Sequence, residues 1–186
     1  ARYIHFMEIG GYTVDPQVIL PFGRLEGKDD TSALGDASGI GDLILAATVW
    51  LVNEPETNTY FGITPFVIAP TGSYDNADTL NVGENRWQYL LQAGYITELM
   101  PSLLVDLAAD VTFYGENDEL GPAKATLDQD PAYQLQGFLR YQMNPRWDLR
   151  TGLSHTFGGE TEIDGVNQDD ELRTTKMTIG TAFFAT

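Results

Sequence analysis

Charged residues that alternate with apolar ones are the first candidates for chemistry in this sequence. Arg140 and Arg150 lie on either side of a turn at residues 144–146, and Asp148 lies between that turn and Arg150. If the chain folds back as a hairpin about this turn, Arg140 faces Arg150, and Asp148 lies one position away on the same face. Two carboxylates of the preceding segment are predicted to complete one charged belt, namely Asp106 and Asp110.

Such a belt inside a closed β-sheet has two interpretations. It can be a constriction whose field selects solutes by charge and dipole. It can also be the way in which a narrow barrel fills its interior with paired polar groups, as barrels of about eight strands do. The structural interpretation is favoured, and it predicts a closed or gated pore. Three more polar residues are predicted to line the same interior, and these are Gln88, Gln92 and Glu98.

Catalytic and metal-binding groups are scarce. The chain has no cysteine and only two histidines, His5 and His155. Ser154 and His155 are neighbours on a predicted strand, so they point to opposite faces and cannot act as nucleophile and base. Acidic loop residues could bind Ca²⁺, but none has the spacing of a calcium hand, and a solvated rim is the favoured interpretation. The sequence therefore predicts no enzyme, no cofactor and no metal site.

Composition excludes further classes of function. Ten Lys and Arg face 27 Asp and Glu, a net charge of −17 that repels nucleic acid. At 186 residues the chain is about one domain. Its longest apolar run, residues 43–52, is too short for a membrane helix of roughly 20 residues, but it suits a transmembrane strand of about 9 to 11.

The elements that would position these residues are strands. Period-two patterns bounded by turn residues predict nine of them, at 1–11, 16–23, 42–52, 58–69, 87–98, 103–115, 132–143, 147–158 and 172–184. After a short link at 11–15, long and short connections alternate. The long ones, 24–41, 70–86, 116–131 and 159–171, hold 18 of the 27 acidic residues. This alternation is typical of an antiparallel transmembrane β-barrel with short periplasmic turns and long extracellular loops, here strongly acidic.

The faces of the strands agree with a barrel. In 103–114, leucines, valines and Phe113 alternate with Asp106, Asp110 and other polar residues, so one face suits lipid and the other suits water. Aromatic residues on the apolar face are predicted at the membrane interface, and these are Trp87, Tyr133, Trp147 and Phe157. Arg86 is expected to anchor at the interface beside Trp87. The alternative is a soluble antiparallel sandwich.

The number of strands is odd, whereas single-chain bacterial barrels close with an even number. We therefore expect residues 1–186 to be a single barrel domain that is incomplete at its C-terminus. The complete barrel would have ten to twelve strands, or eight if the first short segment pairs irregularly.

Three turn motifs carry a family resemblance. They are Gly39-Ile40-Gly41-Asp42, Pro70-Thr71-Gly72-Ser73-Tyr74-Asp75 and Asn81-Val82-Gly83-Glu84-Asn85-Arg86-Trp87. In this order and spacing the chain resembles the outer-membrane family known as the "meta-pathway of phenol degradation" proteins, over about residues 39–184. The resemblance implies a barrel that passes small hydrophobic or aromatic molecules across the outer membrane.

The sequence thus predicts a channel or transporter of the bacterial outer membrane for small hydrophobic or aromatic solutes. The alternative is a structural barrel that acts as an anchor for a protein assembly, or as a sleeve around it, without transport of its own. A soluble binding module is the third hypothesis. The expected partners are outer-membrane lipid, lipopolysaccharide, hydrophobic solutes, and a protein partner or a further copy of the chain.

Overall fold

The structure is a computed structural model that describes residues 1–183 of the chain. These residues form two short 3-10 helices, Asp29–Leu34 and Pro55–Thr57, and sixteen strands. In chain order the strands are β1 (Arg2–Ile4), β2 (Met7–Ile9), β3 (Tyr12–Ile19), β4 (Phe22–Glu26), β5 (Asp36–Ile40), β6 (Leu43–Glu54), β7 (Thr59–Ala69), β8 (Gln88–Met100), β9 (Leu103–Tyr114), β10 (Asn117–Leu120), β11 (Ala125–Gln129), β12 (Ala132–Asn144), β13 (Trp147–Gly158), β14 (Thr161–Ile163), β15 (Val166–Asn167) and β16 (Leu172–Phe183). Neither helix in this part of the chain is long and apolar enough to cross a membrane.

One antiparallel sheet dominates the molecule. Its strand order is β1-β3-β6-β7-β8-β9-β12-β13-β16, and β2 also pairs with β3. From β6 onward, the strands of this sheet lie side by side in the order in which they occur along the chain. Short turns or long returning loops join each of them to the next. The seven strands predicted from residue 42 onward are confirmed to within two residues over the described part, and residue 184 of the last one lies outside it.

The first twenty residues differ from the prediction. A turn lies at Gly10 and Gly11, whose φ angles of 60° and 84° suit glycine, and β3 begins immediately afterwards. The predicted link at 11–15 is therefore mostly strand. The predicted strand 1–11 is divided into β1 and β2, which pair with the two halves of β3. Pro16 lies between those halves and has no N–H to donate, which interrupts the ladder there.

Three of the four long connections contain strands that the sequence analysis missed. Residues 24–41 hold the hairpin β4–β5. Residues 116–131 and 159–171 hold short strands that pair with one another in a second sheet, of order β10-β11-β14-β15, which we call the rim sheet. Only 70–86 of these four connections has no strand or helix.

Burial in the main sheet is inverted relative to a soluble protein. The buried side chains are mostly polar, whereas large apolar residues such as Leu135, Leu153 and Met177 are more than half exposed. A soluble sandwich would bury the apolar face and leave the polar face in water. An apolar outer surface around a polar interior is the pattern of a transmembrane β-barrel.

The sheet curls around its polar face. One cavity of about 390 Å³ is lined by residues from strands as far apart in the sheet as β1 and β12. A flat sheet could not bring those strands to one cavity. The total of ten to twelve strands, and the incomplete single domain spanning 1–186, stay predictions.

Candidate functional site

The inner face of the sheet is organised in rows that run across the strands. One row is polar on all eight long strands from β3 to β16, and we call it the polar row. Its members, in sheet order, are Asp15, Thr48, Thr64, Gln92, Asp110, Gln134, Thr156 and Thr174. The alternation of side chains along each strand places every one of them on the inner face.

A second row, one step towards the short turns, consists of small residues in its central part. Gly62 pairs with Gly94, and Gly94 pairs with Ala108. We call these three residues the small row. A methyl group placed on Gly94 would meet no atom within 4 Å, so the cavity is open above this glycine. The small row therefore sets the free space inside the sheet.

Aromatic rings lie on either side of this open space. Trp50 is opposite Gly62 in the neighbouring strand, and a methyl group on Gly62 would lie 3.1 Å from Cε3 of its ring. Phe138 covers Gly152 in the same way, with Cγ 2.6 Å from such a methyl group. Glycine is required at both positions because each ring occupies the space that a side chain would need. Both rings line the cavity.

Asp15 holds the Trp50 side of the cavity in place. Its carboxylate is 3% exposed. It accepts hydrogen bonds from Trp50 Nε1 at 2.7 Å and from Gln17 Nε2 at 2.6 Å. Arg2 donates to Gln17 Oε1 at 2.6 Å. The amide of Gln17 therefore connects the guanidinium of exposed Arg2 to the buried carboxylate of Asp15.

Four of the five residues predicted to form the charged belt lie together near the short turns. Arg140 pairs in register with Arg150, as predicted. Arg140 Nη2 lies 3.0 Å from Asp106 Oδ1, and Arg150 binds both carboxylate oxygens of Asp148, at 3.0 and 2.7 Å. Asp148 is only 2% exposed. Each arginine is therefore neutralised by its own carboxylate, and the belt is two ion pairs.

The prediction that Asp110 belongs to this belt is wrong. Asp110 lies in the polar row, four residues along β9 from Asp106, which in an extended strand is about 13 Å. Its Oδ2 accepts from Gln92 Nε2 and Gln136 Nε2, both at 3.2 Å. Two neutral amides therefore hold this carboxylate in place of an arginine.

The other predicted interior residues have separate environments. Gln92 lines the cavity, and Gln88 is buried at the loop end of β8. Glu98 accepts from Asn58 Nδ2 at 2.6 Å and from Ser102 N at 3.0 Å. These contacts make Glu98 part of the short turns. Glu98 has the same strand parity as Gln88 and Gln92, and its place in the barrel interior stays a prediction.

The predicted interface aromatics form pairs on the outer face. Tyr133 stacks on Phe157 with ring centroids 5.4 Å apart, at the loop ends of β12 and β13. Trp87 stacks on Tyr89 at 6.5 Å, and Trp147 contacts Phe183 at 4.8 Å near the short turns. These are ordinary distances for favourable ring pairs. Their role at the membrane interface stays a prediction. His155 is exposed on the same outer face, and its Nδ1 lies 2.8 Å from Thr175 Oγ1.

The three turn motifs meet at one carboxylate, a contact that the sequence analysis did not predict. Asp42 Oδ1 accepts from Gly72 N and Oδ2 accepts from Glu84 N, both at 2.8 Å. Gly72 and Gly83 pack against each other so closely that a methyl group on Gly72 would lie 2.8 Å from Gly83 Cα. We call this arrangement the loop clamp. It fixes connection 70–86 to the loop ends of β6, β7 and β8.

Arg86 does not reach the membrane interface. It is only 7% exposed, and it donates to Glu84 Oε2 and Gln129 Oε1, each at 2.7 Å. Its guanidinium carbon lies 4.5 Å from the ring centre of Tyr114. Strand parity explains the error, since Trp87 points outward and its neighbour must point inward. Arg86 therefore links connection 70–86 to the rim sheet.

The acidic loops show no arrangement suited to a metal. Within residues 1–183, no group of three or more histidine, aspartate or glutamate side chains is close enough to hold an ion.

Comparison with known proteins gives a family and similar solved structures. The family described as "Putative MetA-pathway of phenol degradation" matches residues 1–186. The crystal structure of an outer membrane channel from Pseudomonas putida F1 is similar, with a TM-score of 0.93 and 42% sequence identity over 99% of this chain and 69% of that chain. No protein of curated function matches. The chain is therefore homologous to an outer membrane channel.

Proposed function

Because this chain belongs to the MetA-pathway of phenol degradation family and is located in the bacterial outer membrane, we propose that it is a channel for small, uncharged, hydrophobic or aromatic molecules. The transported class goes beyond the description of the solved relative, which is that of an outer membrane channel. We propose no catalytic role for it.

The open space above Gly94 carries this proposal. A barrel that served only as an anchor or sleeve would gain stability from a filled interior, because unfilled space forfeits packing contacts. Here the space above Gly94 is unfilled at mid-strand, and aromatic rings line the cavity beside it. Near the opening Asp106 is paired with Arg140, whereas the carboxylates of Asp15 and Asp110 are held by neutral Trp and Gln donors.

Single-channel recording tests the proposal. The full-length protein is inserted into a planar bilayer, and conductance is measured with and without an uncharged aromatic solute. We expect discrete steps that the solute reduces. Gly94→Phe should lower the step size because its ring would occupy the open space. Gly137→Phe is the matched control, since Gly137 lies on the outer face of β12 beside Leu107.

Three results decide against the channel. A protein that inserts and stays silent favours the structural barrel. Steps that Gly94→Phe leaves unchanged place the conducting path elsewhere. A protein that never inserts contradicts the barrel itself.

A further inference from the structure

We propose that the interior of this barrel passes cations in preference to anions, and that the carboxylate of Asp110 sets this preference. The proposal goes beyond uncharged solutes, and it rests on the proposed function because selectivity requires a conducting path. The steps expected in a bilayer are ionic currents. Charged side chains along a pore determine which ion carries such a current.

The polar row carries negative charge and no positive charge. Its two charged members on the eight long strands are Asp15 and Asp110, and the other six are threonine or glutamine. Within residues 1–183 neither carboxylate has an ion pair. The groups that donate to them are neutral, namely the side chains of Trp50, Gln17, Gln92 and Gln136. A row of this composition attracts cations and repels anions.

Asp110 is the carboxylate of this row that a passing ion can reach. Asp15 is 3% exposed, and each of its oxygens accepts a hydrogen bond. Asp110 is only partly buried, and both of its amide donors bind the same oxygen, Oδ2. Its Oδ1 has no hydrogen-bond partner in the described part of the chain and is not among the unpaired atoms shielded from solvent. The two amides therefore hold the carboxylate in place and leave one oxygen to the interior.

The other charges of the inner face leave a surplus of negative charge. Strand parity places six carboxylates and four cations on the inner face of the main sheet. The carboxylates are Glu8, Asp15, Glu98, Asp106, Asp110 and Asp148, and the cations are Arg2, Arg140, Arg150 and Lys176. The belt near the short turns uses two of each sign in its ion pairs. Four carboxylates are therefore left against Arg2 and Lys176.

These two cations lie away from Asp110. Gln17 connects Arg2 to Asp15, so Arg2 offsets that carboxylate. Lys176 lies on β16, and three strand spacings separate β16 from β9, which is about 14 Å along the sheet. The charge of Asp110 is therefore the one on the polar row that no nearby cation offsets.

The loop end of the barrel favours the same ions. The four long connections hold 18 acidic residues, and each of their four cations is paired with a carboxylate of its own. A negative surface raises the local concentration of cations and lowers that of anions, and salt screens this effect strongly at exposed sites. An ion from outside therefore meets negative charge at the loops and again at Asp110. The contribution of Asp110 is the one that should persist at high ionic strength.

Reversal potentials in a KCl gradient test the inference. The full-length protein is inserted into a planar bilayer, and the permeability ratio of K⁺ to Cl⁻ is determined at low and at high ionic strength. Asp110→Asn removes the charge and keeps the size of the side chain. Thr156→Asp adds a carboxylate to the same row and keeps an acceptor for Gln134. Asp36→Asn is the matched control, because it removes an equal charge from an exposed loop residue.

We expect a ratio above one at both ionic strengths. Asp110→Asn should lower the ratio by about threefold, which is the effect of one unit charge at about 6 Å in water. Thr156→Asp should raise the ratio. Asp36→Asn should leave it unchanged at high ionic strength.

Four results would overturn the inference. A wild-type ratio of one or below would refute cation preference and leave the channel standing. A preference for K⁺ that Asp110→Asn leaves unchanged would assign selectivity to the loops. If Asp110→Asn fails to insert, an unchanged ratio in Thr156→Asp would still show that the polar row does not select ions. A protein that inserts and stays silent would refute the channel, and the inference with it.

Discussion

Replacing Asp42 by alanine should release connection 70–86 from the loop ends of the main sheet. The carboxylate is 8% exposed and accepts two backbone N–H groups, of Gly72 and Glu84, both at 2.8 Å. A hydrogen bond to a charged group contributes about 1.5–3 kcal/mol, so two give about 3–6 kcal/mol. Water can reach the amides once the loop opens, so we use the lower end, about 3 kcal/mol.

Amide hydrogen exchange followed by mass spectrometry measures this directly. Each 1.4 kcal/mol corresponds to a factor of ten, so protection of the Gly72 and Glu84 amides should fall by about two orders of magnitude. Asp42→Asn keeps one acceptor oxygen, and its loss should be about tenfold. Asp36→Ala is the control, because Asp36 is an exposed aspartate paired only with Arg24.

Unchanged protection in Asp42→Ala would refute the clamp. An equal loss in Asp36→Ala would show that any removed loop carboxylate loosens the segment. If Asp42→Asn lost as much as Asp42→Ala, the charge of the carboxylate would matter more than the number of acceptors.

Three further predictions follow from other contacts. Asp148→Ala leaves Arg150 without its partner and should lower the free energy of unfolding, measured by urea titration, by ~2 kcal/mol. This is less than the ~3–5 kcal/mol of a fully buried pair, because Arg150 reaches water. An unchanged unfolding midpoint would contradict the pairing. Asn117, 2% exposed, bonds to Tyr74 and to the backbone of Glu84, so Asn117→Ala should speed protease cleavage within 70–86, and cleavage at the wild-type rate would argue against the link. Hydrogen bonds from the Thr161 hydroxyl and amide lower the pKa of Asp170. The protection of β14 amides against hydrogen exchange that these bonds supply should therefore be present above the ordinary carboxyl pKa and be lost as the pH falls through the lowered pKa. Thr161→Ala removes the hydroxyl and should move this loss of protection to higher pH.

The long strands could be predicted because lipid imposes a strict rule on them. A strand with lipid on one side and a polar interior on the other must alternate, and turn residues mark its ends. The same regularity gave the register of Arg140 with Arg150, since folding about the predicted turn at residues 144–146 sets residues 140 and 150 opposite each other. In the structure an irregularity between Gln142 and Asn144 keeps this register.

The predictions that were wrong concerned local or tertiary features that leave no periodic pattern in the sequence. The turn at Gly10 and Gly11 was overlooked, so Asp15 was placed in a link and its contact with Trp50 was missed. The glycine pair between flanking apolar residues was the available signal. The rim sheet strands are two to five residues long and rich in acids, too short to show alternation. The separation of Asp110 from the belt could have been predicted, because four residues of an extended strand span about 13 Å.

The rim sheet limits the positions at which a foreign peptide can be inserted into this protein for display on the cell surface. Extracellular loops are the usual insertion points in barrels, since exposed loop tips tolerate added residues. Here Leu127 pairs with Ile163, so an insertion near either residue would separate two loops at once. Connection 70–86 is equally unsuitable, because Gly72 and Gly83 have no room between them. The hairpin tip at residues 121–124 has free space around Gly121 and lies outside the strands, which makes it a display position that this architecture leaves open. The tip at 164–165 is less suitable, because Asp164 is hydrogen-bonded to Thr126.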